Sequence, residues 1–184
     1  MKTEASSFAE LETPRLALRR LRSSDAEDMY AYFSLDEVTK YYNLESFTEL
    51  GQAEALISRF NERIDSGAAL RWAVTLKGED RLMGTCGYHN WRRDHCRAEI
   101  GYELHPRYWQ QGYMTEAVSA MLDFGFGAMG LNRAEAFIDP DNAGSRRLLE
   151  KCGLKEEGLL RDYFFEKGMF VDAAVFSMLK RDRA

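Results

Sequence analysis

The stretch from Arg97 to Ala128 constrains the fold more than any other part of this chain. Residues 97–104 (RAEIGYEL) alternate with a period of two, and from Met114 onward Ala117, Val118, Met121 and Leu122 recur at helical spacing. Between them lies PRYWQQGYMTEA, residues 106–117, so a strand turns directly into a helix extending to about Ala128. The first turn of a helix leaves its N–H groups unpaired at the positive end of the dipole, and several such donors converge on one point. Gly112 carries no Cβ, so backbone there can approach a bulky anion, while Thr115 can add a hydroxyl. Gln110 to Thr115 thus reads as a cradle for a pyrophosphate. A lone glycine at a helix start is also compatible with a simple tight turn, so the rest of the chain has to decide.

The flanking pattern is that of one mixed sheet. Arg15 to Leu21 alternates apolar and basic residues and reads as a strand. A helix follows with Ser24 as cap, Glu27 three residues on, and Ala26, Met29, Tyr30 and Phe33 as its stripe. A second helix runs from about Thr48 to Ile64 after the aromatic loop KYYNLESF. Residues 70–76 and 81–89 form a hairpin over KGED; 133–138 is a strand; Asp139 to Asn142 turns into a short helix ending near Gly153. Two last strands, about 158–165 and 169–179, are joined by Glu166, Lys167 and Gly168. The expectation is an α/β fold: about seven strands in a single mixed, mostly antiparallel sheet with helices on both faces.

At 184 residues, with no linker rich in Pro, Gly or Ser, residues 1–184 make a single domain. The excess of 30 acidic over 25 basic side chains argues against direct nucleic-acid binding and slightly favours a cationic partner. No apolar run approaches the about 18 residues a membrane span needs, and MKTEASSFAE lacks a signal-peptide core, so the expected location is cytoplasmic, with no membrane partner. Cys86, Cys96 and Cys152 lack framework spacing and are read as free thiols.

Two motifs carry a resemblance. EIGYELHPRYWQQGYMTEA followed by DPDNAGSRRLLEKCGL resembles the central motifs of the GCN5-related N-acetyltransferase (GNAT) superfamily. ETPRLALRRL near the start and LRDYFFEKGMFVDAAVFSML near the end resemble its branch that acetylates ribosomal-protein N-terminal alanines, so the likeness spans nearly the whole chain. The resemblance implies the acyl-CoA N-acyltransferase fold, acetyl-CoA as cosubstrate, no metal, and a primary amine as acceptor, most simply a protein N-terminus; a homodimer is compatible with it. The family's pyrophosphate motif falls on Trp109 to Met114 and keeps only its first glycine, Gly112. Trp109 and Met114 depart from the general pattern, yet the backbone amides of Gln111, Gly112, Tyr113, Met114 and Thr115 do not depend on their side chains. Asn142 matches the asparagine that approaches the pantetheine arm, or serves as a helix N-cap, or both. Ser145 lies one helical turn on.

Acetyl transfer to an amine needs a neutral amine, a polarised carbonyl and a proton for the departing thiolate. A lysine ammonium titrates at about 10.4 and an α-amino group at about 7.7–8.0, so an α-amine tolerates a weak base. Glu99, on the strand resembling the family's catalytic glutamate strand, is the base candidate, with an ion pair across the sheet as its alternative role. Glu103 shares its face and is taken as a substrate-binding residue, with Tyr41 and Tyr42. The family's usual acid, a tyrosine, falls on Leu149, leaving Ser145 as the residue to meet the thiolate and Tyr163 as a substitute acid. Backbone amides of the 99–104 strand are expected to polarise the carbonyl. Cys86, His89, His95 and Cys96 lack the spacing of a zinc site. A small-amine acceptor (polyamine or aminoglycoside) and a catalytically silent acyl-CoA-binding module are the alternatives, the latter favoured by Leu149.

Overall fold

The computed structural model describes residues 8–183. In chain order it contains β1 (Leu11–Glu12), β2 (Leu16–Arg19), α1 (Ala26–Phe33), α2 (Asp36–Thr39), α3 (Leu50–Asp65), β3 (Leu70–Leu76), β4 (Gly84–Arg92) and β5 (Arg97–Leu104). These are followed by α4 (Tyr113–Gly127), β6 (Arg133–Ile138), α5 (Ala143–Lys151), β7 (Lys155–Glu166) and β8 (Met169–Leu179). The strands form one mixed sheet in the order β1-β2-β3-β4-β5-β6-β8-β7, antiparallel except where β5 meets β6. The fold class expected from the pattern is the one observed. The eighth strand is β1, whose two residues pair with Leu18 and Ala17 and are too few to show a period.

Local differences have identifiable causes. Ser24 does not cap α1: a 3-10 turn at Ser23–Asp25 precedes the helix, and the Asp25 carboxylate accepts from the Arg22 amide at 2.8 Å. Asp25 is buried and held by the Arg19 guanidinium through two bonds of 2.7 and 2.9 Å, a charge-assisted fork that a serine hydroxyl cannot match. At α3, Gln52 accepts from the amides of Thr48 and Glu49, so the helix proper begins at Leu50. β4 begins at Gly84, because Arg81 and the Leu82 amide are tied to the Asp28 carboxylate on α1.

Alternation along the strands divides the core into two layers. Trp72, Val74, Cys86, Tyr88, Ala98, Ile100, Ala134 and Ala136 pack with α4 and α5 on one face. Ala73 faces the other way and joins Met29, Tyr32, Phe33, Leu56 and Ile57 of α1 and α3. Helices therefore cover both faces, and the strands between them are buried on both sides.

The sheet is interrupted at one place. β5 and β6 pair only through Arg97↔Arg133, Ala98↔Ala134 and Glu99↔Glu135, although both strands continue, to Leu104 and Ile138. Beyond Glu99 the parallel strands part, and every second amide and carbonyl of the following stretch of β5 faces a gap instead of a neighbour.

Candidate active site

The gap opens into a cleft of about 1450 Å³ whose walls come from both faces of the sheet. One wall is the start of α4. Gly112 is its N-cap at φ 80°, a left-handed conformation that glycine adopts without penalty, and no side chain caps the helix. Gly112, Tyr113, Met114 and Thr115 line the cleft. An uncapped helix start with its dipole directed at a cavity fits a polyphosphate. Gln111 is set back from the cavity, where its carbonyl accepts from Arg15 Nη1 at 3.1 Å and its side chain donates to the Arg107 carbonyl at 2.8 Å.

Arg15 holds this turn from a distant part of the sequence. Its guanidinium donates to Glu116 at 2.7 Å and lies 4.4 Å from the centre of the Tyr113 ring. Burial acts against the Glu116 charge, but bonds from Thr13 and from the amide and side chain of Arg15 outweigh it and lower the pKa. No local pattern marks Arg15 as part of the site. Trp109, which departs from the family motif, donates its indole N–H to the Leu104 carbonyl at 2.7 Å and fastens the turn to the end of β5. His105 accepts from the Arg107 amide at 3.2 Å, a turn-forming role.

The opposite wall is the start of α5. Asn142 caps it, its carbonyl oxygen accepting from the Ser145 amide at 3.0 Å, which leaves the side-chain NH2 as a donor. The Ser145 hydroxyl is 2.5 Å from the hydroxyl of Tyr102 on β5. Burial drives the Tyr102 pKa well up, with the Ser145 contact opposing it, so the phenol is protonated at neutral pH. Tyr102 was not among the residues expected from the sequence, where it reads as one more apolar position of an alternating strand. Tyr163 stacks on Phe137 at 5.3 Å and is half exposed. Leu149 is fully buried in the core.

Glu99, Gly101 and Glu103 lie on the other face of β5, and the two carboxylates differ. Glu103 is 6% exposed and bonded to Arg71, Thr85, Tyr32 and Tyr42. Burial acts against the Arg71 charge, and the Glu103 carboxylate more than restores it, so Arg71 stays cationic. Burial and Glu103 push up both Tyr32 and Tyr42. Tyr42 and Glu103 thus line the cleft as expected but spend their polar atoms on each other and on Arg71. Tyr41 spans the cleft mouth, its hydroxyl donating to the Asp141 carbonyl at 3.2 Å, and Lys167 on the β7–β8 turn donates to the Thr39 carbonyl at 2.7 Å.

Glu99 is directly opposite His89 on β4, with His89 Nε2 3.3 Å and Asn90 Nδ2 3.0 Å from its Oε2. Burial would raise its pKa, but those hydrogen bonds and the charges of His89 and Arg97 lower it. The partner across the sheet in the alternative ion-pair role is His89. Among the described residues no group of three or more His, Cys, Asp or Glu side chains converges as a metal site, and no helix is long and apolar enough to cross a membrane.

Comparison with known proteins agrees with this geometry. The profile of the acetyltransferase (GNAT) domain matches residues 15–155. The chain is 41% identical over 173 residues to the uncharacterized N-acetyltransferase YoaA of Bacillus subtilis (strain 168), covering 94% of this chain and 98% of that one. It is 26% identical over 160 residues to spermidine N(1)-acetyltransferase of Escherichia coli (strain K12), covering 84% and 82%. The crystal structure of ribosomal-protein-S5-alanine acetyltransferase from Vibrio fischeri superposes with a TM-score of 0.81 at 25% identity, covering 96% of this chain and 99% of that one.

Proposed function

The chain belongs to the GNAT acetyltransferase family and is an acetyl-CoA-dependent N-acetyltransferase; from that premise we propose that its acceptor is a protein N-terminal α-amine. The pyrophosphate of acetyl-CoA binds the amides of Gly112 to Thr115, the pantetheine arm runs through the gap between β5 and β6 past Asn142, and the thioester reaches the level of Tyr102. There the unpaired amides of the parted stretch of β5 act on the carbonyl oxygen, where negative charge develops. The Tyr102–Ser145 hydroxyl pair donates a proton to the departing sulphur.

One observation carries the choice of acceptor. Glu99, the carboxylate on the amine side, has one oxygen already engaged by Asn90 at 3.0 Å and faced by His89 at 3.3 Å, and is a weak base. A weak base suffices for an α-amine at about 7.7–8.0 and is a poor match for a side-chain ammonium at about 10.4. The likeness to the Vibrio fischeri enzyme, named for an alanine of a ribosomal protein, supports the same acceptor.

The test is CoA release, followed with a thiol reagent, from acetyl-CoA mixed with peptides starting in Ala or Ser, with polyamines and with aminoglycosides. Mass spectrometry should place the acetyl group on the peptide α-amine. Faster turnover of a polyamine, with the peptides untouched, would move the acceptor to a small amine. Tight acetyl-CoA binding with no release on any amine would leave a silent binding module.

A further inference from the structure

Glu99 does not face the cleft alone. His89 stands opposite it across β4 and β5, and the next residue, Asn90, has φ 46° at a shift in strand register between His89 and Arg92. A bulge re-aims the side chains beside it, and a non-glycine residue in the left-handed region is strained. The result is that Asn90 also turns onto Glu99, so one carboxylate oxygen receives both neighbours.

The opposite edge of the imidazole lies over Gly101. A Cβ at Gly101 would stand 3.3 Å from His89 Cε1, 3.5 Å from Nδ1 and 3.1 Å from Arg71 Nη1. Only a glycine leaves that space open. Gly101 and His89 both line the cleft, immediately past the last paired residues of β5 and β6. Among the described residues no hydrogen bond is made to His89 Nδ1. With the proton on Nε2, 3.3 Å from Glu99 Oε2, Nδ1 keeps its lone pair, the arrangement by which a carboxylate fixes the tautomer of a histidine base.

We propose that His89 takes the proton from the incoming amine and that Glu99 is the residue that positions it. This rests on the reading of the protein as an amine acetyltransferase and refines the role of Glu99 within it. An ammonium acceptor passes one proton to Nδ1, and His89, 36% exposed at its side chain, releases it to solvent. The freed lone pair forms the C–N bond at the thioester carbonyl, and the C–S bond breaks as the tetrahedral intermediate collapses. Sulphur takes a proton from the Tyr102–Ser145 pair, which is restored from solvent, while the second proton shed from nitrogen leaves through His89. Alternation along β5 puts His89 and Glu99 on one face of the sheet and Tyr102 on the other, so the amine and the thiol leave on opposite sides of the gap. The charged groups around the imidazole are Glu99 on β5, Arg71 on β3, Arg63 on α3 and, behind Glu99, Arg97 paired with Glu135 on β6.

The experiment compares wild type, His89→Gln and Glu99→Gln for acetyl-CoA affinity and for the pH profile of kcat/KM with an alanine-starting peptide. Long-range 15N NMR of the wild type locates the imidazole proton. His89→Gln should bind acetyl-CoA as before, lose about 10²- to 10³-fold in kcat, and keep only the acid limb set by the acceptor's own α-amine at about 7.7–8.0. Glu99→Gln should retain the wild-type acid limb, lose about tenfold, and scramble a tautomer that is Nε2–H in the wild type. A His89→Gln enzyme within threefold of wild type with the same acid limb overturns the proposal, as does a wild-type proton on Nδ1 whatever the variant does. If the wild type itself acetylates no amine, the acetyltransferase reading fails and this one with it; turnover by wild type and His89→Gln alike removes this one alone.

Discussion

The two halves of the cleft are built differently. The half assigned to acetyl-CoA comes from two short continuous segments, Gly112 to Thr115 and Asn142 to Ser145, and offers backbone amides. The half assigned to the acceptor draws Tyr32 from α1, Tyr42 from the loop after α2, Arg71, Thr85 and Glu103 from three strands, and closes them into one buried hydrogen-bonded group. A backbone site tolerates side-chain change, which is why Trp109 and Met114 can depart from the family motif. A side-chain network does not, since each member satisfies another that is already out of water.

The sharpest way to break this contrast is Arg71→Ala. It strands the Glu103 carboxylate in the interior, and removing one partner of a buried pair costs about 3–5 kcal/mol. Urea unfolding should show that loss, and an unchanged midpoint would mean that the network is not what holds the acceptor half. Next in size is Tyr102→Phe, which removes one hydroxyl of the pair proposed to protonate the thiolate; kcat should fall about 10²-fold with acetyl-CoA affinity intact. Single-turnover kinetics check it, and an unchanged rate would hand the acid role to Ser145 alone.

A smaller effect is expected in the donor half. Gly112→Val forces a β-branched residue to φ 80° next to Arg15, a strain of about 1–3 kcal/mol. Calorimetric titration should show acetyl-CoA affinity reduced about tenfold or more, while acceptor KM stays put. The smallest effect is in pH. Glu116 and Glu99 both have folded pKa values below the ordinary 4.5, so the stability each contributes is complete above that value and is lost as pH falls through the folded one. Glu116→Gln should therefore lower Tm at neutral pH and flatten the acid side of the profile below about 4.5, so that the two proteins converge in acid.

Much of this was legible in the chain. The period change from RAEIGYEL to the α4 stripe placed a strand, a turn and a helix start, because those depend on neighbours within a few residues. Asn142 was open to two roles, and the cap is visible while its NH2 remains to donate. Glu103 was legible as a cleft residue but not as a saturated one: nothing in RAEIGYEL tells that Arg71 and Thr85 stand two strands and one strand away. Ser24 failed as a cap for the same reason, since Asp25 is claimed by Arg19 from β2.

Sequence by itself determined the sheet-and-helix order, the uncapped start of α4 and the family to which the chain belongs, all set by local periodicity, backbone donors and contiguous motifs. Only the tertiary structure decided that β5 and β6 part after three pairs, that Tyr102 meets Ser145, and that the neighbours of Glu99 across the sheet are His89 and Asn90. Those contacts join residues from nine to more than forty positions apart, and strand register, a bulge and the space above a single glycine bring them together.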